Sequence, residues 1–270
     1  MHAFRSVLGS MTLLVAGLAS FAGLAAPAST SCLAVSGKPA PVVQAAFRPA
    51  ALETTETRLT YVRHSTFLIE SAEGVRIATD FTGYAGPGVV PHVVTMNRAH
   101  ETHYTDDPDP AIKYVLRGWN PEGGHAEHDL QVGDVHVRNV PTNIRGWDGG
   151  TVEFGNSIFI FEMVGLCIAH LGHLHHELTP QQLGQIGVID VVLVPVDGGY
   201  TLDLEGVVAV LKNLQARLIV PMHYFSGFSL NRFLERMRPY YPAQFADSPS
   251  MVVSRAMLPE TPEILVLPPL

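Results

Sequence analysis

A chain of 270 residues, 47% hydrophobic and 16% charged, has apolar surface for one large core and leaves little room for a second full domain. Against 25 acidic side chains there are 17 basic ones, a formal charge of −8, and no Lys/Arg cluster that could follow a phosphate backbone. That balance argues against nucleic acid as a partner. In chain order, His2 and Arg5 precede an uncharged apolar run from Val7 to Ala26. This reads as a secretory signal peptide over residues 1–28, with Ala26 and Ala28 flanking Pro27 in an AxA-like cleavage site. The expectation is export, to a periplasm or outside the cell, with no stable membrane span after removal. A retained anchor is the alternative, because the run is about as long as a bilayer is thick. Residues 29–57 are rich in Ala, Pro, Ser and Thr without a period and read as a linker or surface arm, leaving 58–270 as the domain.

From Arg58 onward, short β-branched runs alternate with turn residues. Strands are expected over Leu59–Ile69, Val75–Thr79, Val89–Met96, Tyr114–Leu116, Val132–Val140, Ser157–Phe161 and Leu166–Leu171, with tight turns such as Glu73-Gly74 between them. The second half adds helices. Thr179-Pro180 places a cap residue before a proline at the first helical position, leading into Gln181–Ile186. A longer helix follows Asp203, with Val207, Val208, Leu211 and Leu214 on one face. A third is expected from Ser229 as cap to Met237, stopped by Pro239. Val191–Val194, Leu218–Val220 and Ile264–Leu267 are apolar on both faces and need cover on both sides, which implies an α/β sandwich. Cys32 and Cys167 are the two cysteines. They are too few for a structural thiolate metal site, and a disulfide between them stays open.

The 13 histidines are unevenly placed. His100 and His103 share one loop, His170, His173, His175 and His176 another, and His223 follows a buried strand. All three places are strand exits, where a rigid scaffold brings distant side chains together. Neutral imidazole ligates zinc, iron, nickel and copper, so convergence of these loops would make a metal site. Surface or hydrogen-bonding histidines are the competing reading of the same spacing.

The order of segments resembles the metallo-β-lactamase superfamily, in its branch of small hydrolases related to ascorbate-phosphate lactonases. The matching text is TYVRHSTFLIE (Thr60–Glu70), GVRIATD (Gly74–Asp80), VVTMNRAHETH (Val93–His103) and GLCIAHLGHLHHELT (Gly165–Thr179), then VIDVVLVPVDGGYTLD (Val188–Asp203) with IVPMHY (Ile219–Tyr224). The resemblance implies an αββα sandwich with a metal site at one edge between the sheets. It also exposes departures. The family's HxHxDH signature falls on Arg98, His100, Thr102 and His103; a later ligand histidine falls near Asn143 or Ile144; the usual bridging aspartate is His173; the last ligand is retained as His223.

What the resemblance implies is therefore a small-molecule metallo-hydrolase with one metal rather than two, held by His103, His173 and His223 with His100 nearby. Zinc is the first expectation, with iron, manganese and copper open. His64, Asp80 and His170 match positions that orient ligands. His125, His128, His175 and His176 have no matching role and are expected as solvated loop residues. Arg98 and Tyr200 are candidates for stabilising negative charge on an ester, lactone or phosphodiester. A non-catalytic metal- or ligand-binding protein on the same fold is the alternative, and the oligomeric state is left open.

Overall fold

The structure, a computed structural model, describes residues 42–43, 52–146 and 148–270. The expected signal peptide and most of the expected arm, including Cys32, lie outside the described residues. Cys167 is not a free thiol. No described helix is long and apolar enough to cross a membrane.

In chain order the strands and helices are β1 (Val42–Val43), β2 (Thr57–Arg63), β3 (Thr66–Glu70), β4 (Arg76–Ala78), β5 (Val93–Met96), β6 (Tyr114–Arg117), β7 (Asp129–Val132), β8 (Val135–Arg145), β9 (Thr151–Met163), β10 (Leu166–His170), α1 (Pro180–Ile186), β11 (Val191–Pro195), α2 (Leu204–Leu214), β12 (Leu218–Met222), α3 (Gly227–Met237), β13 (Ala243–Phe245), β14 (Ser250–Val253) and β15 (Glu263–Val266). They form a nine-stranded sheet, ordered β1-β7-β8-β9-β10-β11-β12-β15-β13, and a six-stranded sheet, ordered β14-β2-β3-β4-β5-β6.

The period-two alternation of the strands assigns each side chain to a layer. In β9, Phe159 and Phe161 face the core between the sheets, while Ile158 and Ile160 face the helices. Val191 and Leu193 of β11 point inward in the same way, and Val192 and Val194 outward. On the second sheet, Leu59, Phe67 and Ile69 meet Phe159 and Val220 in the inter-sheet core. Full burial of each such Phe or Leu is worth about 2–3 kcal/mol, so this layer holds the two sheets face to face.

The sandwich is the expected αββα type, with one asymmetry. Helices α1, α2 and α3 all pack on the nine-stranded sheet, through Ile186, Val207, Leu211 and Phe233. The outer face of the other sheet, Val62, Leu68, Val94 and Met96, is covered instead by loop residues Phe81, Ala85 and Ile112.

Several boundaries depart from the sequence reading. Leu59–Ile69 is a hairpin rather than one strand, because His64 takes a left-handed φ of 47° and breaks the run between β2 and β3. Val132–Val140 likewise splits at Gly133, where φ is 54°. The cap of α3 is Ser226, whose Oγ accepts from the Ser229 amide, so the helix starts one turn earlier than Ser229. By contrast α1 begins as expected, with a reciprocal capping box between Thr179 and Gln182, and α2 is capped by Asp203.

A buried ion pair fixes α1 to its sheet. Arg138 on β8 donates from Nε to Glu162 Oε1 at 2.7 Å, and from its two Nη atoms to the carbonyls of Gln185 and Ile186 at 2.7 and 2.8 Å. It thus occupies carbonyls that the C-terminus of α1 leaves without intrahelical partners. His136, opposite Glu162 in the β8–β9 register, also donates to Asp129 at 2.5 Å. Burial raises the Glu162 carboxyl, but hydrogen bonds from His136 and Arg138 outweigh it and hold the group below its ordinary value. Glu162 in turn lifts the His136 imidazole above its ordinary value.

Arg138→Ala should lower unfolding free energy by about 3 kcal/mol, since it strands a buried carboxylate; urea denaturation at pH 7 measures this. The stability contributed by His136 is complete below its ordinary pKa and is lost as pH rises through the raised folded value. His136→Ala should therefore lose stability at pH 5.5 and approach the parent at pH 8.5 in paired melts.

Candidate metal centre

Strands β4 and β5 run parallel to one another, as do β10, β11 and β12. Their carboxyl ends meet at one edge of the sandwich, where loops leaving an α/β sheet commonly hold ligands. Asp80 follows β4, His100 and His103 follow β5, His173 follows β10, Asp197 follows β11 and His223 follows β12. His64 joins them from the β2–β3 turn.

His103 and His223 are fully buried and built alike. The Nδ1 of His103 lies 2.6 Å from Asp80 Oδ2. The Nδ1 of His223 lies 3.0 Å from Asp197 Oδ1, close enough for strong charge attraction though not aligned for a full hydrogen bond. A proton on each Nδ1 leaves each Nε2 with a bare lone pair, and the two Nε2 atoms face each other at 3.1 Å. Two acceptors at that distance repel unless a proton or a cation lies between them. Two imidazoles on one tetrahedral zinc, at about 2.0–2.1 Å each, stand about 3.3 Å apart. The donor set thus fits a divalent metal, with each ring oriented by a carboxylate as in metal–histidine–carboxylate triads.

The carboxylates are held in place. Burial lifts Asp80 to a pKa of about 6, opposed by His170 and by the Asn97 amide, which donates to Asp80 Oδ1 at 2.9 Å. Burial and then the neighbouring His223 push His103 well below its ordinary value, so at neutral pH an ionised Asp80 faces a neutral imidazole. For Asp197 burial acts upward, yet the adjoining His223 imidazole and then the Thr201 hydroxyl and the Gly199 amide outweigh it and keep the carboxyl well below its usual range. Its oxygens accept from the Gly199 amide at 2.9 Å, the Tyr200 amide at 2.5 Å and the Thr201 hydroxyl at 2.5 Å.

His173 is 3% exposed, and both its ring nitrogens are buried without a hydrogen-bond partner. Its ring centroid lies 4.9 Å from that of His103 and 5.1 Å from that of His223, and those two are 5.0 Å apart. Its loop is fixed by Asn156, which accepts from the His173 amide at 2.7 Å and donates to the Thr142 hydroxyl at 2.7 Å. Gly172 has a left-handed φ of 60°, and a Cβ there would stand 2.3 Å from Asn156 Oδ1 and 2.4 Å from Asn97 Nδ2. Asn97 itself bridges the two sheets, accepting from the Ser157 amide of β9 at 2.7 Å.

Each residue singled out from the sequence has a definite place. His100 stands outside the cluster, 4.9 Å from His173 by ring centroid. The Nε2 of His170 pairs with the Ser65 carbonyl at 2.8 Å, and its Nδ1 accepts from the Gly172 amide at 3.2 Å, so it braces the ligand loops. Tyr200 is 63% exposed and forms a rim with Phe225, 5.5 Å between ring centroids, with Phe225 5.4 Å from His223. The exposed Arg98 lines a cleft of about 310 Å³ with Tyr104, Asp106, Trp119 and Pro121. Among the described residues, the donor atoms that converge within 4.8 Å of one another are those of His64, His103 and His223.

The sequence reading missed Asn97 and Asn156, whose buried amides carry the seam beneath the site. The structure uses Asp197 as the partner of His223. Two histidines expected in solvent are anchored instead: His128 Nε2 bonds the Arg117 carbonyl at 2.7 Å, and His176 Nε2 accepts from the Asn143 amide at 3.1 Å. His125 has its ring 5.9 Å from Phe154. Both ring nitrogens of His175 are enclosed without a hydrogen-bond partner, and burial followed by His176 lowers its pKa to about 4.

Residues 58–223 match the model of the beta-lactamase superfamily domain. Among curated proteins, the chain is similar to UPF0173 metal-dependent hydrolases. It is 26% identical over 195 residues to that of Archaeoglobus fulgidus, covering 62% of this chain and 83% of the relative. To that of Salinibacter ruber it is 26% identical over 193 residues, covering 62% and 84%. A solved Thermotoga maritima structure, described as a Zn-dependent hydrolase of the metallo-beta-lactamase superfamily, superposes with a TM-score of 0.57 at 29% identity. It covers 78% of this chain and 98% of that one.

Asp80→Asn should weaken zinc binding by about 10–100-fold, the usual effect of losing a ligand's orienting partner; competition with a chromophoric chelator measures it. Gly172→Ala, which drives a methyl group into the Asn97–Asn156 seam, should cost about 1–3 kcal/mol of stability, read from urea midpoints.

Proposed function

The chain belongs to the metallo-β-lactamase superfamily, and on that premise we propose that it is an exported metal-dependent hydrolase acting on a small ester, lactone or phosphodiester. The observation that carries this reading is the pair of Nε2 atoms facing each other at 3.1 Å, each on a ring backed by a buried carboxylate. A divalent ion, zinc first, supplies Lewis-acid polarisation of a substrate oxygen and lowers the pKa of a water to about 7.

The chain's own residues do the rest. His103 and His223 would hold the ion, with His173 beside them and His100 at the outer edge, in a site for one metal. Asp80 and Asp197 stand at the two Nδ1 atoms, and their two negative charges would balance a divalent cation. Tyr200 and Phe225 rim the entrance and would orient an apolar part of the substrate. Arg98, in its cleft with Tyr104 and Trp119, would receive an anionic group of a substrate that extends that far.

The same geometry favours one second reading. Both buried carboxylates at the site are committed to orienting histidines, so neither is free to take a proton from water, and a binding protein without turnover fits that arrangement.

Metal-depleted protein should lose turnover on an esterase, lactonase and phosphodiesterase panel and regain it with zinc, and His223→Ala should lower it by at least about 100-fold, or 2.7 kcal/mol. Full activity in His223→Ala would sink the hydrolase reading, and stoichiometric zinc uptake with no turnover anywhere on the panel would favour the binding protein.

A further inference from the structure

His64 was expected behind the ligands, yet its donor atom is one of the three that converge at the site. Its ring centroid lies 4.1 Å from that of His223 and 5.4 Å from that of His103. Its Nε2 is enclosed with no hydrogen-bond partner, which for a buried polar atom costs about 1–3 kcal/mol. An ion at the site would give that nitrogen a partner.

The backbone gives a second, independent reason. His64 takes a left-handed φ of 47° at the β2–β3 turn, a conformation that costs an L-residue about 1–2 kcal/mol and that glycine adopts freely. The strained position is clamped from both sides. Its carbonyl accepts the His223 amide at 2.7 Å and the Tyr61 hydroxyl at 2.9 Å. The first of these bonds ties His64 directly to the neighbouring ligand residue, so the two side chains are positioned as a unit. Across the same turn, Ser65 Oγ lies 3.2 Å from His103 Nδ1. Two successive residues of one turn thus address the two histidines whose lone pairs face each other.

We propose that His64 is itself a ligand of the metal, completing a donor set with His103 and His223 that draws on the β2–β3 turn. The proposal rests on the metal-centre reading above and deepens it. His173, whose ring is adjacent but whose nitrogens do not join the converging set, is then the neighbouring donor rather than the third ligand.

The test uses the full chain, stripped with a chelator and titrated with zinc in competition with a chromophoric chelator, and separately with Co(II) for its visible spectrum. His64→Gly suits the left-handed position, so the variant should fold with a urea midpoint at or above that of the parent. It should lose more than about 100-fold in zinc affinity, beyond the 10–100-fold of an orienting residue. Its Co(II) bands should shift and weaken, and added imidazole should restore them. A smaller loss of affinity, or a Co(II) spectrum unchanged from the parent, overturns the assignment. Should the glycine variant unfold, His64→Asn, which also tolerates the left-handed region, is held to the same criteria. A parent protein that takes up neither ion overturns the metal-centre reading, and the role of His64 with it, whereas parental uptake with unaltered His64→Gly binding overturns the role of His64 alone.

Discussion

Two imidazole nitrogens 3.1 Å apart, each on a ring with a buried carboxylate behind it, form the constraint around which this molecule is organised. Asp80 and Asp197 stand at the Nδ1 atoms of His103 and His223, an arrangement that turns both Nε2 atoms toward the same point. Burying two carboxylates costs several kcal/mol each unless they are fully hydrogen-bonded. Asp197 is satisfied by amides of its own turn and by Thr201, and Asp80 by Asn97. The site's electrostatics are thus decided one layer behind the histidines.

That layer is also where the two sheets are joined. Asn97 leaves β5 in one sheet, donates to Asp80 and accepts from Ser157 in the other sheet. Asn156, adjacent in sequence to Ser157, holds the His173 loop. Gly172 and Gly118 make room for these amides; a Cβ on Gly118 would come within 2.2 Å of Asn97 Oδ1. Packing of the apolar interior brings the sheets face to face, but these buried polar bonds set how their edges align, because each has a narrow range of acceptable geometry.

Strain is concentrated at the same edge. His64, Asp80 and His223 all have positive φ, at 47°, 39° and 56°, although none is glycine. Such conformations persist where the surroundings over-determine them. Here His64 and His223 are joined through their backbones, and Asp80 is locked by its carboxylate, so part of the stability of the sandwich is spent holding three side chains in one orientation.

The sequence by itself determined the layers: alternation in Ile158–Phe161 and the doubly apolar Val191–Val194 and Leu218–Val220 require a covered sheet, and local chemistry at Thr179-Pro180 and Asp203 starts two helices. It also located the strand exits that carry His103, His173 and His223, because histidines clustered just where apolar runs end. Which of those histidines converge was beyond its reach, since a ligand set depends on loops separated by more than a hundred residues and on the direction of each ring. The hairpin at His64 was hidden for a related reason. Its β-branched and aromatic flanks read as one continuous strand, and the turn there is held by a bond from the His223 amide, made across the folded molecule, together with a local one from the Tyr61 hydroxyl. Asn97 and Asn156 carry no local signal at all. An asparagine becomes a structural joint only when the tertiary fold buries it and surrounds it with partners that can use both ends of its amide.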